Sequence, residues 1–383
     1  DAAGRLNESV IATAHWRLVY HGYLPTDPLD EKVRFVDDQI NVLGKAFQAQ
    51  TISCARCHDH KFDAISQADY TALFGVLASC RPGIVDANAA TLGADVELEL
   101  ETLMGAVRGA MARDWMAVLD DPSPELDLLH DGEELDEAHP LDAVRRAARD
   151  PEWRRRAAAA PEEVAVTPAA FAERWDLTDP EEAGRWFAHG PGLEAGPTGA
   201  GHFTVAVEGT QALTGVHPQG LYTHLTSTRH RGVLQSRRLD LGEDLALWGL
   251  VAGEGARFRH VVQDYPRQGT VYQTAGIGGG GWDWKRLDLA YWAGDSIHVE
   301  LVTGQDAPVE TTGGDRSWFG VREIALLPRG EEPARDPGPA DTLLALMASS
   351  GEDASPAAAA REALRGVVLR WEASESSDAE ALL

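Results

Sequence analysis

The sequence predicts an α+β multidomain chain, an α-helical module followed by an antiparallel β-sandwich of jelly-roll type. Three observations predict it. Apolar residues recur at helical spacing as far as about residue 118, and an acidic stretch followed by an arginine-rich one then breaks the pattern. From about Trp175, short apolar segments alternate with glycine-rich turns at roughly ten-residue spacing, as strands of a sandwich or barrel do. The chain divides on this reading into a helical module (1–85), a charged helical linker (86–170), a sandwich (171–330) and a proline-rich, then helical, tail (331–383).

Taken in order, a helix is expected from Leu6 to His21, with Val10, Ala14, Leu18 and neighbouring Trp16 as its apolar stripe and Gly22 and Pro25 ending it. The cleanest period follows. Val33, Val36, Ile40, Leu43 and Phe47 are spaced 3, 4, 3 and 4 residues apart, which places all five on one helix face. Ser66 with Asp69 reads as a capping box, and Tyr70, Leu73, Phe74 and Leu77 make the next apolar face before Arg81-Pro82-Gly83 stops it. Residues 92–118 read as helix again, led by Leu98, Leu100, Leu103 and Met104. Nine of the eighteen residues from Asp120 to Glu137 are acidic and none is Lys or Arg, which makes a solvated linker. Arg145, Arg146, Arg149, Arg154, Arg155 and Arg156 then mark a solvated helix face, and Pro161 to Pro168 closes this half.

Strands are expected at Phe203–Val207, Gly220–Leu225, Leu245–Val251, Phe258–Gln263, Val271–Tyr272, Arg286–Leu289, Ile297–Val302 and Ser317–Leu327. Helices return at Asp341–Ala348 and Ala357–Trp371. A net charge of −27 repels phosphate polymers, so nucleic acid is excluded as a partner. No run of eighteen apolar residues exists, so no membrane span is expected. The chain opens on Asp1 without a signal peptide and stops at Leu383 without a capping signal, and so reads as a fragment of a longer protein.

Chemistry concentrates in Cys54-Ala55-Arg56-Cys57-His58-Asp59-His60, which holds two of the three cysteines. Two thiols separated by two residues match the two vinyl groups of a porphyrin, and the following His58 then lies under the iron as axial ligand. A haem c on Cys54, Cys57 and His58 is therefore the first reading. Met104, Met111, Met116, His15 and His21 are the candidate sixth ligands, and a five-coordinate iron stays open. A tetrahedral zinc on Cys54, Cys57, Cys80 and His60 (or His58) is the second reading, and a CxxC without metal the third. Two residues from His58, His60 points away on a helix.

Trp282, Trp284, Tyr291 and Trp292 lie beside the run Gly278-Gly279-Gly280-Gly281, where indoles and phenols suit the apolar face of a sugar; the competing expectation is that most of these rings fill the sandwich core. The glycine run lacks the Lys-Ser/Thr of a phosphate loop. Asp283 and Asp288 offer a weak calcium pair. No paired carboxylates and no nucleophile elbow mark a hydrolase.

These residues carry a resemblance. Asp38-Gln39-Ile40-Asn41-Val42-Leu43-Gly44-Lys45-Ala46-Phe47, then Cys54 through Asp63, Ile65-Ser66 and Asp69-Tyr70, resemble the planctomycete cytochrome c-associated family of large exported proteins. Val261 to Arg267, Gly281-Trp282, Asp288 to Asp295 and Ser317 to Gly320 look like the β-rich insert of many members, a sandwich resembling galactose-binding folds. Cys80-Arg81-Pro82 departs from the small polar residues expected there. The resemblance implies an extracytoplasmic location and a haem at the Cys54 motif, and no established reaction. The expected function is electron transfer or redox sensing with an unidentified redox partner. The alternative is a non-catalytic carbohydrate or cell-envelope binding protein with a structural zinc or an empty motif.

Overall fold

The computed structural model describes residues 6–17, 27–81, 87, 94–121, 139–157, 171–206, 211–264, 271–304, 316–334, 337–350 and 354–383. His21, Gly22, Pro25, Pro82, Gly83, Val207, most of the acidic stretch and the run from Pro161 to Pro168 lie outside them. The fold class is as expected, helices together with antiparallel sheets stacked as a sandwich. The chain forms two compact units that cut across the sequence divisions at 85, 170 and 330. One contains 1–92, 184–194 and 227–319, the other 93–183, 195–226 and 320–383.

In the first unit the described part of the expected helix, residues 6–17, is instead two short turns, α1 (Glu8–Ile11) and a 3₁₀ turn at Ala14–Arg17. Helix α2 (Pro28–Leu43) starts where Asp27 accepts hydrogen bonds from the Leu29 and Asp30 N–H groups, with proline at its first position. It passes into a π-turn, Gly44–Gln48, closed by Ala49 in the left-handed region at φ 55°. The wider turn breaks the 3.6-residue period, so Phe47 leaves the buried face and is 65% exposed. Helix α3 (Gln67–Ala78) carries the expected capping box of Ser66 and Asp69. Val36, Ile40, Ile52, Ala55 and Tyr70 form the core between these elements. Burial of side chains such as Ile40 contributes about 1.5–3 kcal/mol each.

The β part of this unit contains β2 (Phe187–His189), β6 (Val233–Gln235), β7 (Leu239–Asp240), β8 (Leu245–Glu254), β9 (Ala256–Val262), β10 (Thr274–Ile277), β11 (Asp283–Asp288) and β12 (Ser296–Val302). A six-stranded sheet runs β10-β9-β12-β6-β2, with β7 also on β12. Strands β8 and β11 pair antiparallel and lie against β9 and β10 as a second layer. Ala256, Phe258, Val262, Ile297, Val299 and Leu301 alternate onto one face and are buried. The other face mixes valines with buried polar residues. On it Glu300 lies opposite Arg259 and Gln235, accepting from Arg259 Nε at 2.7 Å and Gln235 Nε2 at 2.7 Å.

In the second unit α4 (Ala94–Asp120) packs on β3 (His202–Val205), β4 (Leu213–His217) and α8 (Pro356–Glu372) through Ala112, Phe203, Val368 and Trp371. Arg108 lies over the Phe203 and Trp371 rings and donates to the carbonyls of Trp371 and Gly201. Helix α5 (Pro140–Arg149), α7 (Pro339–Ala348) and α8 share a second core around Ala143, Trp153, Leu343 and Met347. The unit also holds β1 (Glu173–Asp176), a four-residue helix α6 (Pro180–Ala183), β5 (Leu221–Tyr222), β13 (Trp318–Pro328) from Gly320 onward and α9 (Asp378–Ala381). Both β1 and β5 pair antiparallel with β13. The C-terminal helices are thus part of this unit's cores and not a detached tail. Arg154, expected on a solvated face, donates to the carbonyls of Ser350 and Ala354.

Candidate functional site

The Cys54 turn is held from three sides. Ile52–Arg56 is a 3₁₀ turn in which Ile52 and Ala55 enter the helical core, so Cys54, Arg56 and Cys57 face outward. Backbone bonds from Cys54 N–H to Thr51 O (3.0 Å) and from Cys57 N–H to Cys54 O (3.4 Å) set the turn. Asp37 on α2 then pins it to both helices. One carboxylate oxygen accepts from Arg56 Nη1 at 2.9 Å, the other from the Tyr70 hydroxyl on α3 at 2.6 Å. Burial, and then the bond to Asp37, push the Tyr70 phenol well above its ordinary range.

His60 is the second clamp. Its Nδ1 accepts from the N–H groups of Phe62 (3.3 Å) and Asp63 (2.9 Å), so the proton sits on Nε2, which donates to Thr51 Oγ1 at 2.9 Å. Asp59 is the third, accepting from the Gln67 N–H at the start of α3 at 2.9 Å.

What these clamps leave available is a short list of groups. Cys54, Cys57 and Cys80 are exposed, unpaired thiols. His58 is exposed, and its Nδ1–H donates to the Asp59 carbonyl at 2.7 Å, which leaves Nε2 as the nitrogen with a free lone pair. Cys80 ends α3 with its thiol on the Val76 carbonyl at 3.4 Å. In the zinc set both His60 nitrogens are engaged, and among the described residues no group of three or more His, Cys, Asp or Glu side chains converges on a common point. Met104, Met111 and Met116 pack in the second unit against the Phe203–Trp371 cluster. His15 packs at a tilt against Trp16 and Phe47, at 4.7 and 5.1 Å between ring centroids.

The four sandwich rings separate by burial. Trp292 is core, 5% exposed, donating from Nε1 to the Val271 carbonyl at 2.8 Å and packing on Tyr272. Trp282 and Trp284 are half-buried. Tyr291 alone of the four stands out, 70% exposed and edge-on to Trp292 at 4.8 Å. Asp283 and Asp288 occupy the two ends of β11 on opposite faces, roughly 16 Å apart at strand rise. Each has a cation beside it, Lys285 and Arg286, so they do not form a calcium pair.

Sequence reading missed Asp37 and Asp264. Asp264 follows β9 with φ 57° and is buried among Lys32 Nζ (2.9 Å), Arg81 Nε (3.1 Å), Arg238 and His298 Nδ1 (3.2 Å). Burial alone would raise its carboxyl. The bonds from His298 and Lys32, with the charges of Lys32 and Arg238, outweigh that and hold it far below the usual carboxylate range. Lys32 and Arg81 come from the helical part of this unit, so Asp264 ties that part to the sheet. A left-handed Asp next to a left-handed Gln263 was its one local signal, and φ is invisible in sequence.

The chain is similar to a TmCBM61 structure in complex with β-1,4-galactotriose, at 12% identity and TM-score 0.25, covering 41% of this chain and 100% of that one. It is similar to the CBM22-1 xylan-binding domain of Paenibacillus barcinonensis Xyn10C at 15% identity and TM-score 0.24, covering 45% and 100%. The K1 cleaved adhesin domain of Lys-gingipain from Porphyromonas gingivalis W83 matches at 13% identity and TM-score 0.26, covering 41% and 98%. No curated protein matches. Among the described residues no helix is long and apolar enough to cross a membrane. Residues 2–82, the segment that builds the Cys54 turn, match the family model PSCyt2, a protein of unknown function (DUF1549).

Proposed function

We propose that the protein carries a covalent c-type haem on Cys54 and Cys57 with His58 as axial ligand, and passes single electrons to and from a second redox protein outside the cytoplasm. The observation that carries the reading is the pairing of two exposed, unpaired thiols with an imidazole whose Nδ1 is spent on a backbone carbonyl. That donor set fits the group. A bound haem supplies a one-electron iron couple, and the chain's own residues do the rest. Asp37, Arg56 and Tyr70 hold the turn against α2 and α3, His60 braces it from beneath, and Asp59 directs the His58 ring through its carbonyl. The extracytoplasmic setting follows from the thioether attachment.

The test is the mass of the Cys54–Cys57 peptide from protein matured in a host able to attach haem, together with oxidised and reduced visible spectra. Added porphyrin mass and a Soret band are expected; an unmodified peptide ends the reading. A second reading has one observation in its favour, the exposed Tyr291 ring held edge-on by a buried Trp292. It supports a glycan contact there by ring stacking. Glycan-array binding by the full chain should fall at least tenfold in Tyr291→Ala, and equal binding by both removes it.

A further inference from the structure

We propose that the second unit binds a small, uncharged molecule of two or three fused rings in a cavity lined by α4, α8, β4 and α9, a site independent of the haem reading. Helices α4 and α8 run antiparallel there. Trp115 of α4 packs on Trp371 of α8 at 4.7 Å between ring centroids and a 45° tilt, and further along Asp120 of α4 accepts from Arg365 of α8. Between these two contacts the cavity is lined by Leu119, Leu364 and Val368, whose side chains are too short to fill the gap that the indoles open between the helices. A cavity of about 460 Å³ results, completed by Val216 of β4 and Ala381 of α9. Val118, 42% exposed, stands at its mouth.

The lining sets the chemistry of the ligand. A cavity of about 150 Å³ walled by aliphatic and aromatic side chains stays dry and takes one benzene, so about three times that volume suits two or three fused rings. It also lies within the range of roughly 300–1,000 Å³ typical of small-molecule sites. The indoles of Trp115 and Trp371 supply faces and edges for a flat ring to stack on. No charge is left to recognise. Glu380, the one ionisable side chain in the lining, accepts from Arg370 Nε at 2.7 Å and from the Ser377 N–H at 2.9 Å. Arg365, next to Leu364, is held by Asp120. Among the described residues around the cavity, an acidic head group therefore finds its cations already taken, and a cationic ligand finds its carboxylates taken. Trp371 Nε1–H is spent as well, on the Gly201 carbonyl at 2.9 Å. A flat, uncharged ring system needs none of these groups, and being rigid it loses little conformational freedom on entry.

The experiment titrates the full chain with 1-aminoanthracene, whose fluorescence rises on leaving water, and follows the melting temperature in parallel. Saturable binding and a raised melting temperature are expected. Leu364→Trp and Val368→Phe fill the cavity in two different ways, so that one serves if the other does not fold. Each should weaken binding at least tenfold and abolish the melting shift, whereas Tyr291→Ala in the first unit should bind as the wild type does, and dodecanoate should not compete. Absence of saturable binding, wild-type affinity in both filled variants, weakened binding in Tyr291→Ala, or displacement by dodecanoate overturns the proposal. None of these outcomes bears on the peptide mass that tests the haem.

Discussion

Within the Cys54 motif, hydrogen bonds assign His58 and His60, two residues apart, to opposite tasks. His60 has both nitrogens bound to the loop, whereas His58 gives only Nδ1 to a carbonyl. Spacing alone does not assign those tasks, because residues 58–60 lie beyond the 3₁₀ turn in irregular backbone. Which of the two keeps a free nitrogen depends on where Thr51 and the Phe62 and Asp63 N–H groups come to rest. Histidines elsewhere report on acid. In the second unit His217 and His224 meet edge-to-face at 5.0 Å between ring centroids, and burial first, then neighbouring histidine charge, push them down to about 4 and about 3. The unfolded chain binds their protons from about pH 6.5 downward while the folded chain does not, so their stabilisation is full above pH 6.5 and falls as pH drops toward 4. At pH 5 each costs about 2 kcal/mol. Denaturant midpoints followed by tryptophan fluorescence should be lower at pH 5 than at pH 7, and His224→Gln should flatten that dependence. Equal slopes in variant and wild type would contradict this.

At the scale of elements, long periodic segments were readable and short or irregular ones were not. The face of α2, the capping box of α3 and strands β8, β9, β12 and β13 follow from apolar pattern and local side-chain chemistry. The expected strand at Val271–Tyr272 is instead β10 at Thr274–Ile277, the expected strand at Gly220–Leu225 shortens to β5, and the two- and three-residue strands β2, β6 and β7, which were not expected, owe their existence to partners, not propensity. The π-turn is the informative failure, since one extra residue in the turn moves Phe47 from the core side to the surface. Its packing leaves no room at Gly44, where a Cβ would come within 2.9 Å of Gln50 O and 3.0 Å of Ile52 Cγ1. Gly44→Val is expected to lower stability by about 1–3 kcal/mol and to reduce the fraction of Cys54–Cys57 peptide carrying haem, both readable on one preparation by thermal unfolding and mass spectrometry. A variant with wild-type melting and attachment would show that this close approach does not matter.

For the whole molecule, the organising fact is a buried polar sheet face within the first unit. Glu300, Arg259 and Gln235 interlock on it, and at its end Asp264 takes Lys32 and Arg81 from the helical part. Removing one partner of a buried charge cluster strands the others, so Asp264→Asn is expected to cost about 3 kcal/mol; the half-exposed Arg238 adds little to that. Urea unfolding and faster proteolysis of the helical part in the variant would report the loss, and an unchanged midpoint would show that the cluster is dispensable.

By itself the sequence determined what acts over a few residues. It specified a CxxCH turn between amphipathic helices, the capped start of α3 and the long strands β8, β9, β12 and β13, because covalent spacing and periodicity are properties of neighbours along the chain. Tertiary structure decided which of those groups are free to react. Lys32 meets Asp264 across 232 residues, and Trp292 goes inside while Tyr291 next to it stays out. Burial and hydrogen-bond satisfaction are set by partners distant in sequence, and so they exist only once the chain has folded.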